Sequence, residues 1–340
     1  MTTSTLRPGP AASLIVDQCR DLELEVHLVA STPTRVTLSG PGGEEIRVDL
    51  DHGRYSFVEQ ILRQVQFDYR KLPLLVVGDS KEIRLLTPKI ALARLLPTLY
   101  SFTNNRYGEV EGTEEIRARF SAEIFRTMAL SPGPYHLSSA FLALVESPVG
   151  PLLAERRVEV CNLETRVKRY HIGSPVHRYL FTEEHPTVSG PALQRWDRFT
   201  EPIVCFDWRH PLTDRNGNRL ADEPLPDDYA ALWISDEQRA KLLARETFGW
   251  LEDFFTAGGL KLIDICFFID QSSGTIYGEI SPDCMRVRTH AADDAEALDK
   301  DQWRSGGGPD VVLERYSRLH SMLFGPSLHV HHQVTKENPT

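Results

Sequence analysis

Two short stretches near the C-terminus hold the densest set of residues able to do chemistry: GEISPDCMRVR, Gly278 to Arg288, and LDKDQWR, Leu298 to Arg304. Together they offer Glu279, Ser281, Asp283, Arg286, Asp299, Lys300, Asp301 and Arg304, and Asp264 lies just upstream in the apolar run LKLIDICFFID. A guanidinium donates two parallel hydrogen bonds to a phosphate or carboxylate, and interleaved acids keep such forks oriented or accept from ribose hydroxyls. A single window of this kind is ordinarily a solvated loop. Two dense clusters of this kind after adjoining strands point to the wall of an anion site.

Other candidates carry less by themselves. In RVKRYHIGSP, Arg166 to Pro175, Lys168, Arg169 and the Gly173-Ser174 pair suit either a second anion pocket or a basic surface loop. In GDSKEI, Gly78 would let the backbone approach a phosphate that Lys81 neutralises, although taken alone the segment reads first as plain turn chemistry. His329, His331 and His332 lie near a polar terminus and read as a tail. Cys266 sits in an apolar strand and reads as a small hydrophobe. There is no G-x-S-x-G, H-E-x-x-H, paired C-x-x-C or Walker A pattern.

The elements that must position these residues follow from periodicity. LELEVHLVA, RVTLS and EIRVDL read as strands after a polar tail, and SFVEQILRQVQFDY as a helix, making a small α/β unit of residues 1–70. LPLLVVGDSKEIRLL reads as a buried strand, a turn and a second strand. IRARFSAEIFRTM places Ile116, Phe120, Ile124 and Met128 on one helical face. The segment from Phe181 to Leu232 is rich in proline and charge and predicts a long excursion with little regular structure. Ser235, with Gln238 three positions on, predicts the start of a helix that Gly258-Gly259 stops. LKLIDICFFID and GTIYGEI predict two strands, and PDVVLERYSRLHSMLF a last helix. The fold class is α+β.

Composition narrows the function. With 340 residues, 41% hydrophobic and 25% charged, the chain has the make-up of a globular protein. A formal charge of −10 disfavours nucleic-acid polymers and anionic membranes, but not a local basic pocket. Five scattered cysteines argue against a disulfide framework, and MTTSTLRPGPAA lacks the apolar core of a signal peptide, so a cytoplasmic setting is expected.

LKLIDICFF, GEISPDCMR and LDKDQWR, in that order and spacing, resemble the C-terminal half of SAICAR synthetase, the phosphoribosylaminoimidazole-succinocarboxamide synthase family. Its pattern runs L-x-L-V-D-F-K-x-E-F, D-E-x-S-P-D-x-x-R and L-D-K-D-x-[FY]-R. ETFGW, DEPLPD, VEV with KRYHIGS, and GDSKEI extend the likeness over residues 71 to 325. The resemblance implies a two-lobed α+β fold, with an ATP-binding-type lobe over 71–160 and a substrate lobe over 161–330. Residues 1–70 are then an extension and 331–340 a tail. It further implies that Arg169 and Ser174, with Lys168 beside them, hold a ribonucleotide phosphate on which Arg286 closes. Asp283, Lys300, Asp301 and Arg304 would position the substrate, and Gly78 and Lys81 would lie over ATP phosphates if ATP binds. Asp264, Glu279 and Asp301 are the acids to test for proton transfer.

The departures from that pattern are one-sided. The family lysine is Cys266, and the two carboxylates that hold magnesium in the family are Phe268 and Gly278. A phenylalanine and a glycine offer no oxygen side chain to a hard cation. The expectation is therefore an enzyme on an aminoimidazole or purine-type ribonucleotide, forming or rearranging C–N bonds in a purine-nucleoside antibiotic pathway of the coformycin and pentostatin kind. No metal site is assigned, no cofactor is certain, and ATP with magnesium is left open. An ordinary ATP-dependent synthetase, and a non-catalytic nucleotide-binding scaffold, are the alternatives. The partner expected is a small ribonucleotide, with a homo-oligomer left open.

Overall fold

The computed structural model describes residues 9–51, 53–101, 106–131, 137–173, 179–211, 213–217 and 220–325. It opens with helix α1 (Pro10–Asp21), an antiparallel sheet of β1 (His27–Ser31), β2 (Arg35–Ser39) and β3 (Glu45–Asp49), and a short helix α2 (Phe57–Leu62). The polar-tail reading of the N-terminus is thus corrected. Pro10 opens α1, and Ala12, Ile15 and Cys19, three and four residues apart, form its buried face.

A five-stranded antiparallel sheet follows, with β4 (Leu74–Val77), β5 (Lys81–Thr87), β6 (Ile90–Leu95), β9 (Phe141–Val145) and β10 (Leu152–Arg156) in the order β4-β5-β6-β10-β9. The hairpin β7 (Thr98–Ser101) and β8 (Arg106–Glu109) intervenes, then helix α3 (Thr113–Leu130). One sheet face, with Ile90, Leu92, Ala143, Val145, Leu152 and Ala154, joins Ile15, Val36, Leu38, Ile46, Val48 and Ile61 in a single core cluster. Each Ile, Leu or Val among them contributes about 1.5–3 kcal/mol on full burial. The first 70 residues therefore share their core with this sheet instead of closing one alone. A buried pair fastens them further: Glu59 of α2 accepts from Arg126 Nε of α3 at 3.0 Å. Strand β4 was expected to be buried; it is the sheet edge, and Leu74, Leu75, Val76 and Val77 are all exposed.

Helix α3 lies between this sheet and the next. Ala118 and Ala122 meet Ala93, Leu95 and Leu153 on one side, while Phe120, Ile124, Phe125 and Met128 enter the largest core cluster on the other. That cluster is built on the second sheet. Its strands are β11 (Leu163–Tyr170), β14 (Arg198–Trp208), β15 (Glu223–Leu225), β16 (Lys261–Ile269) and β17 (Ile276–Tyr277), ordered β15-β14-β11-β16-β17, with β18 (Met285–Arg288) also on β16. The excursion after Phe181 is more regular than expected. Besides the small hairpin β12 (Pro186–Thr187) and β13 (Gly190–Ala192), it holds all eleven residues of β14, which pairs along β11 from Leu163↔Trp208 to Tyr170↔Arg198.

A one-turn helix α4 (Asp227–Ala230) leads to the long α5 (Glu237–Ala257), and α6 (Asp301–Arg304) and α7 (Pro309–Phe324) end the described fold. Asp236, not Ser235, caps α5, accepting from Arg239 N–H at 2.9 Å; Ser235 Oγ faces Ser273 Oγ instead. Side chains alternate along strands, so Val167, Val204, Phe206, Ile265 and Phe267 face Leu243, Phe248 and Phe255 of α5. Arg166, Lys168, Asp264, Cys266 and Phe268 consequently share the opposite face. Among the described residues no helix is long and apolar enough to cross a membrane.

Candidate active site: an ion cluster at the sheet face

Three adjacent strands set one row of charge. Lys168 of β11 stands opposite Asp264 of β16, and Asp264 opposite Arg286 of β18. Asp264 Oδ2 accepts from both Lys168 Nζ and Arg286 Nη1, the latter at 2.6 Å. Burial works against the Asp264 charge, but Arg286 and Lys168 more than offset it and hold the carboxyl well below the usual carboxylate range. Burial pushes the Lys168 ammonium down, with Asp264 opposing.

Arg286 also reaches Asp301 through Nε at 3.4 Å. Asp301 in turn pairs with Arg288 and Arg304, and Arg288 with Asp299. Burial, opposed and outweighed by Arg304, Arg286 and Arg288, leaves Asp301 far below its ordinary value, whereas burial and Asp301 push Asp299 up to about 6. Four cations, Lys168, Arg286, Arg288 and Arg304, thus face three carboxylates. Gly173 closes the row from the end of β11: its φ is +75°, and a Cβ there would stand 2.8 Å from Arg286 Nη1.

A second layer lies against α3 and α7. Arg117, fully buried, donates to Glu279 from Nη2 at 2.7 Å and Nε at 3.0 Å, and Ser281 Oγ donates to the same carboxylate at 2.9 Å. Lys300 donates to Asp283 at 3.1 Å, and Tyr316 adds a longer contact at 3.4 Å. Despite burial, Arg117 keeps Glu279 below its ordinary value, and Lys300 with Arg117 does the same for Asp283. Glu279 is a strut between α3 and the segment joining β17 to β18, so it is badly placed to exchange protons. Asp264 and Asp301 are held ionised in the same way.

Arg169 is the clearest departure from expectation. It lies on the α5 face of β11, pairs with Glu252 through Nε at 2.8 Å, and donates to the Phe199 and Thr200 carbonyls. The structure brings Lys168, not Arg169, to Arg286. Ser174 and the histidines near the C-terminus lie outside the described residues. Gly78 and Lys81 are in the β4–β5 turn, which Gly78 N–H closes on the Lys81 carbonyl at 2.9 Å. Lys81 approaches β16, its Nζ 5.6 Å from the Phe268 ring centroid. Cys266 is half-buried on the same face as the row, opposite Arg166, and burial pushes its thiol well up.

Glu155 of β10 was not among the sequence candidates. It faces Lys81 from the same side of the first sheet and accepts Gly278 N–H at 2.7 Å. Burial pushes its carboxyl up to about 7 against the pull of Lys81. A lone glutamate in PLLAERRVEV gave no periodic or motif signal, and Arg117, inside a helix, gave none either.

With this geometry in place, the family model described as SAICAR synthetase matches residues 97–316. The chain belongs to the SAICAR synthetase family. It is 25% identical over 298 residues to the bifunctional cordycepin biosynthesis cluster protein 3 of Cordyceps militaris, a match that covers 74% of this chain and 33% of that relative. The chain thus spans about a third of that protein's length. It is also 25% identical to the phosphoribosylaminoimidazole-succinocarboxamide synthase of a Synechococcus species, covering 70% of this chain and 90% of the relative. The phosphoribosylaminoimidazole-succinocarboxamide synthase from Ehrlichia chaffeensis shares the fold, with a TM-score of 0.59 at 18% identity over 74% of this chain and 98% of that one.

Family membership implies magnesium, and the donor set does not fit it. Phe268 stacks on Tyr277 with centroids 5.5 Å apart, and the space beside Gly278 faces the Lys81 ammonium, 3.6 Å from where a Cβ would stand. Glu155 is taken up by a backbone N–H and Glu279 by Arg117. Among the described residues no group of three or more His, Cys, Asp or Glu side chains is arranged to hold a metal ion. An octahedral cation that demands oxygen ligands has no cage here.

Proposed function

We propose that this SAICAR synthetase-like enzyme holds an aminoimidazole or purine-type ribonucleotide by its phosphate at Lys168, Arg286 and Gly173, and forms or rearranges a C–N bond in purine-nucleoside biosynthesis. The observation that carries this is the row of Lys168, Asp264 and Arg286 across three strands, in which two cations meet on one buried carboxylate. A bound phosphate dianion would take up that charge through charge-assisted hydrogen bonds. Gly173, with no Cβ, leaves its backbone close enough to share in the contact. Asp264 and Asp301 act by aiming the cations, not by moving protons. The name of the Cordyceps militaris relative supports a nucleoside-antibiotic setting, and Phe268 and Gly278 support a lost or weakened dependence on magnesium and ATP.

The ordinary ligase reading is favoured by the 90% coverage of the Synechococcus relative. One experiment bears on both. Calorimetric titration with adenosine monophosphate and with carboxyaminoimidazole ribonucleotide, against adenosine as the phosphate-free control, should show binding of the nucleotides and at least about a tenfold loss with adenosine or in Lys168→Met. Equal binding of nucleoside and nucleotide would remove the proposal. Phosphate release on adding magnesium-ATP and aspartate to the carboxylated nucleotide would restore the ligase.

A further inference from the structure

We infer that Arg166, held in place by Asp207, reads the base of the bound ribonucleotide and selects one that presents a carbonyl or carboxylate oxygen over one that presents an amino group. The inference rests on the ribonucleotide reading and adds to it the class of base. Arg166 and Lys168 are two residues apart on β11, so they share the face that carries the phosphate row, roughly 6–7 Å apart along the strand. That step spans the ribose between a phosphate and the near edge of its base. Burial pushes the Lys168 ammonium down, and among the neighbouring charges Arg286 and Arg166 push the same way, so the two side chains share one electrostatic neighbourhood.

The surroundings of Arg166 leave its charge one open side. In register it stands between Cys205 of β14 and Cys266 of β16, two short side chains that wall the guanidinium without covering it. Asp207, two residues beyond Cys205, forms an ion pair with Arg166. The Asp207 side chain keeps no exposed surface while Arg166 keeps 13%, so the carboxylate sits behind the guanidinium and not in front of it. Glu164, opposite Asp207 on β11, adds a second negative charge on the same row. A guanidinium has five N–H donors in a rigid plane, and a carboxylate engages at most two of them. The donors that remain can meet an oxygen acceptor on the base, and they repel an amino group, which offers them only hydrogens. An arginine present only to neutralise Asp207 would be blind to that difference.

The test is calorimetric titration of the full chain with inosine monophosphate and with adenosine monophosphate, which differ in a carbonyl against an amino group and in the ring proton that goes with it. The wild-type chain should bind the inosine nucleotide about tenfold more tightly or better. Arg166→Met should abolish that preference while holding adenosine monophosphate within about twofold, whereas Lys168→Met should weaken both nucleotides together. Asp207→Asn, which loosens the guanidinium without removing it, should reduce the preference and leave adenosine monophosphate binding unchanged. Melting curves check folding. Where Arg166→Met does not fold, Arg166→Lys keeps the charge but not the planar fork and should lose most of the preference. If neither nucleotide binds, the ribonucleotide reading fails and this inference with it. Equal wild-type affinities, a preference that survives in the folded Arg166 variant, or an equal loss of both nucleotides in that variant would overturn the base-reading role alone.

Discussion

Gly173 and Arg286 meet so closely that a methyl group on the first would lie 2.8 Å from Nη1 of the second. The contact exists because β11 ends where β18 begins its pairing with β16, and because φ at Gly173 is +75°, a conformation that L side chains rarely adopt. Gly173→Ala should therefore cost about 1 kcal/mol in backbone strain and displace the guanidinium as well. The expected result is at least a tenfold loss of adenosine monophosphate affinity with a small drop in melting temperature. An alanine variant that binds like wild type would show that Arg286 does not close on the phosphate.

Lys168 and Arg169 are neighbours in sequence and opposites in space. Lys168→Met should remove nucleotide binding. Arg169→Met should leave binding within about twofold and instead cost about 2–3 kcal/mol of stability, because Glu252 would lose a bidentate partner at a half-buried position. Titration and urea unfolding of the two variants check this together. The reverse pattern would place Arg169 back at the phosphate.

Much of this arrangement was legible in the sequence. The S-P-D-x-x-R and D-K-D-x-x-R segments, with LKLIDICFF before them, marked Asp264, Asp283, Arg286, Asp301 and Arg304 as one neighbourhood, and strand pairing delivers them to it. Choosing between Lys168 and Arg169 was harder. Both are buried and β11 is apolar on one face and charged on the other, so only the cross-strand register with Asp264 decides. Strand β14 was obscured by Arg198, Glu201 and Pro202 in its first half and by Asp207, a buried charge paired with Arg166; the buried apolar alternation is confined to Val204 and Phe206. Helix α1 carried a usable signal in Ala12, Ile15 and Cys19, but a proline- and serine-rich lead-in masked it. Arg117 and Glu155 act through partners more than a hundred residues away, and no local pattern reports such a contact.

Arg117 and Glu279 test whether the strut is structural. Arg117→Met would leave a buried carboxylate without its partner, which costs about 3–5 kcal/mol. Chemical denaturation should show that loss, while Arg117→Met with Glu279→Leu should recover part of it, since the second change removes the stranded charge. If Arg117→Met were as stable as wild type and had lost only activity, Glu279 would belong to the chemistry after all.

Glu155 supplies a pH signature. Its carboxyl is pushed up to about 7 in the folded chain from an ordinary value of 4.5. Between those values the folded state keeps a proton that the unfolded state releases, so the folded chain loses stability as pH rises through this window and holds level above it. At about 1.36 kcal/mol per unit the loss amounts to about 3 kcal/mol. Glu155→Gln keeps an oxygen for the Gly278 N–H and cannot ionise. Urea unfolding at pH 5 and pH 8 should therefore show the variant gaining on wild type by roughly that amount at the higher pH, with little difference at the lower. Profiles that run parallel across the range would mean that Glu155 is ionised in both states and that the Lys81 charge, not burial, governs it.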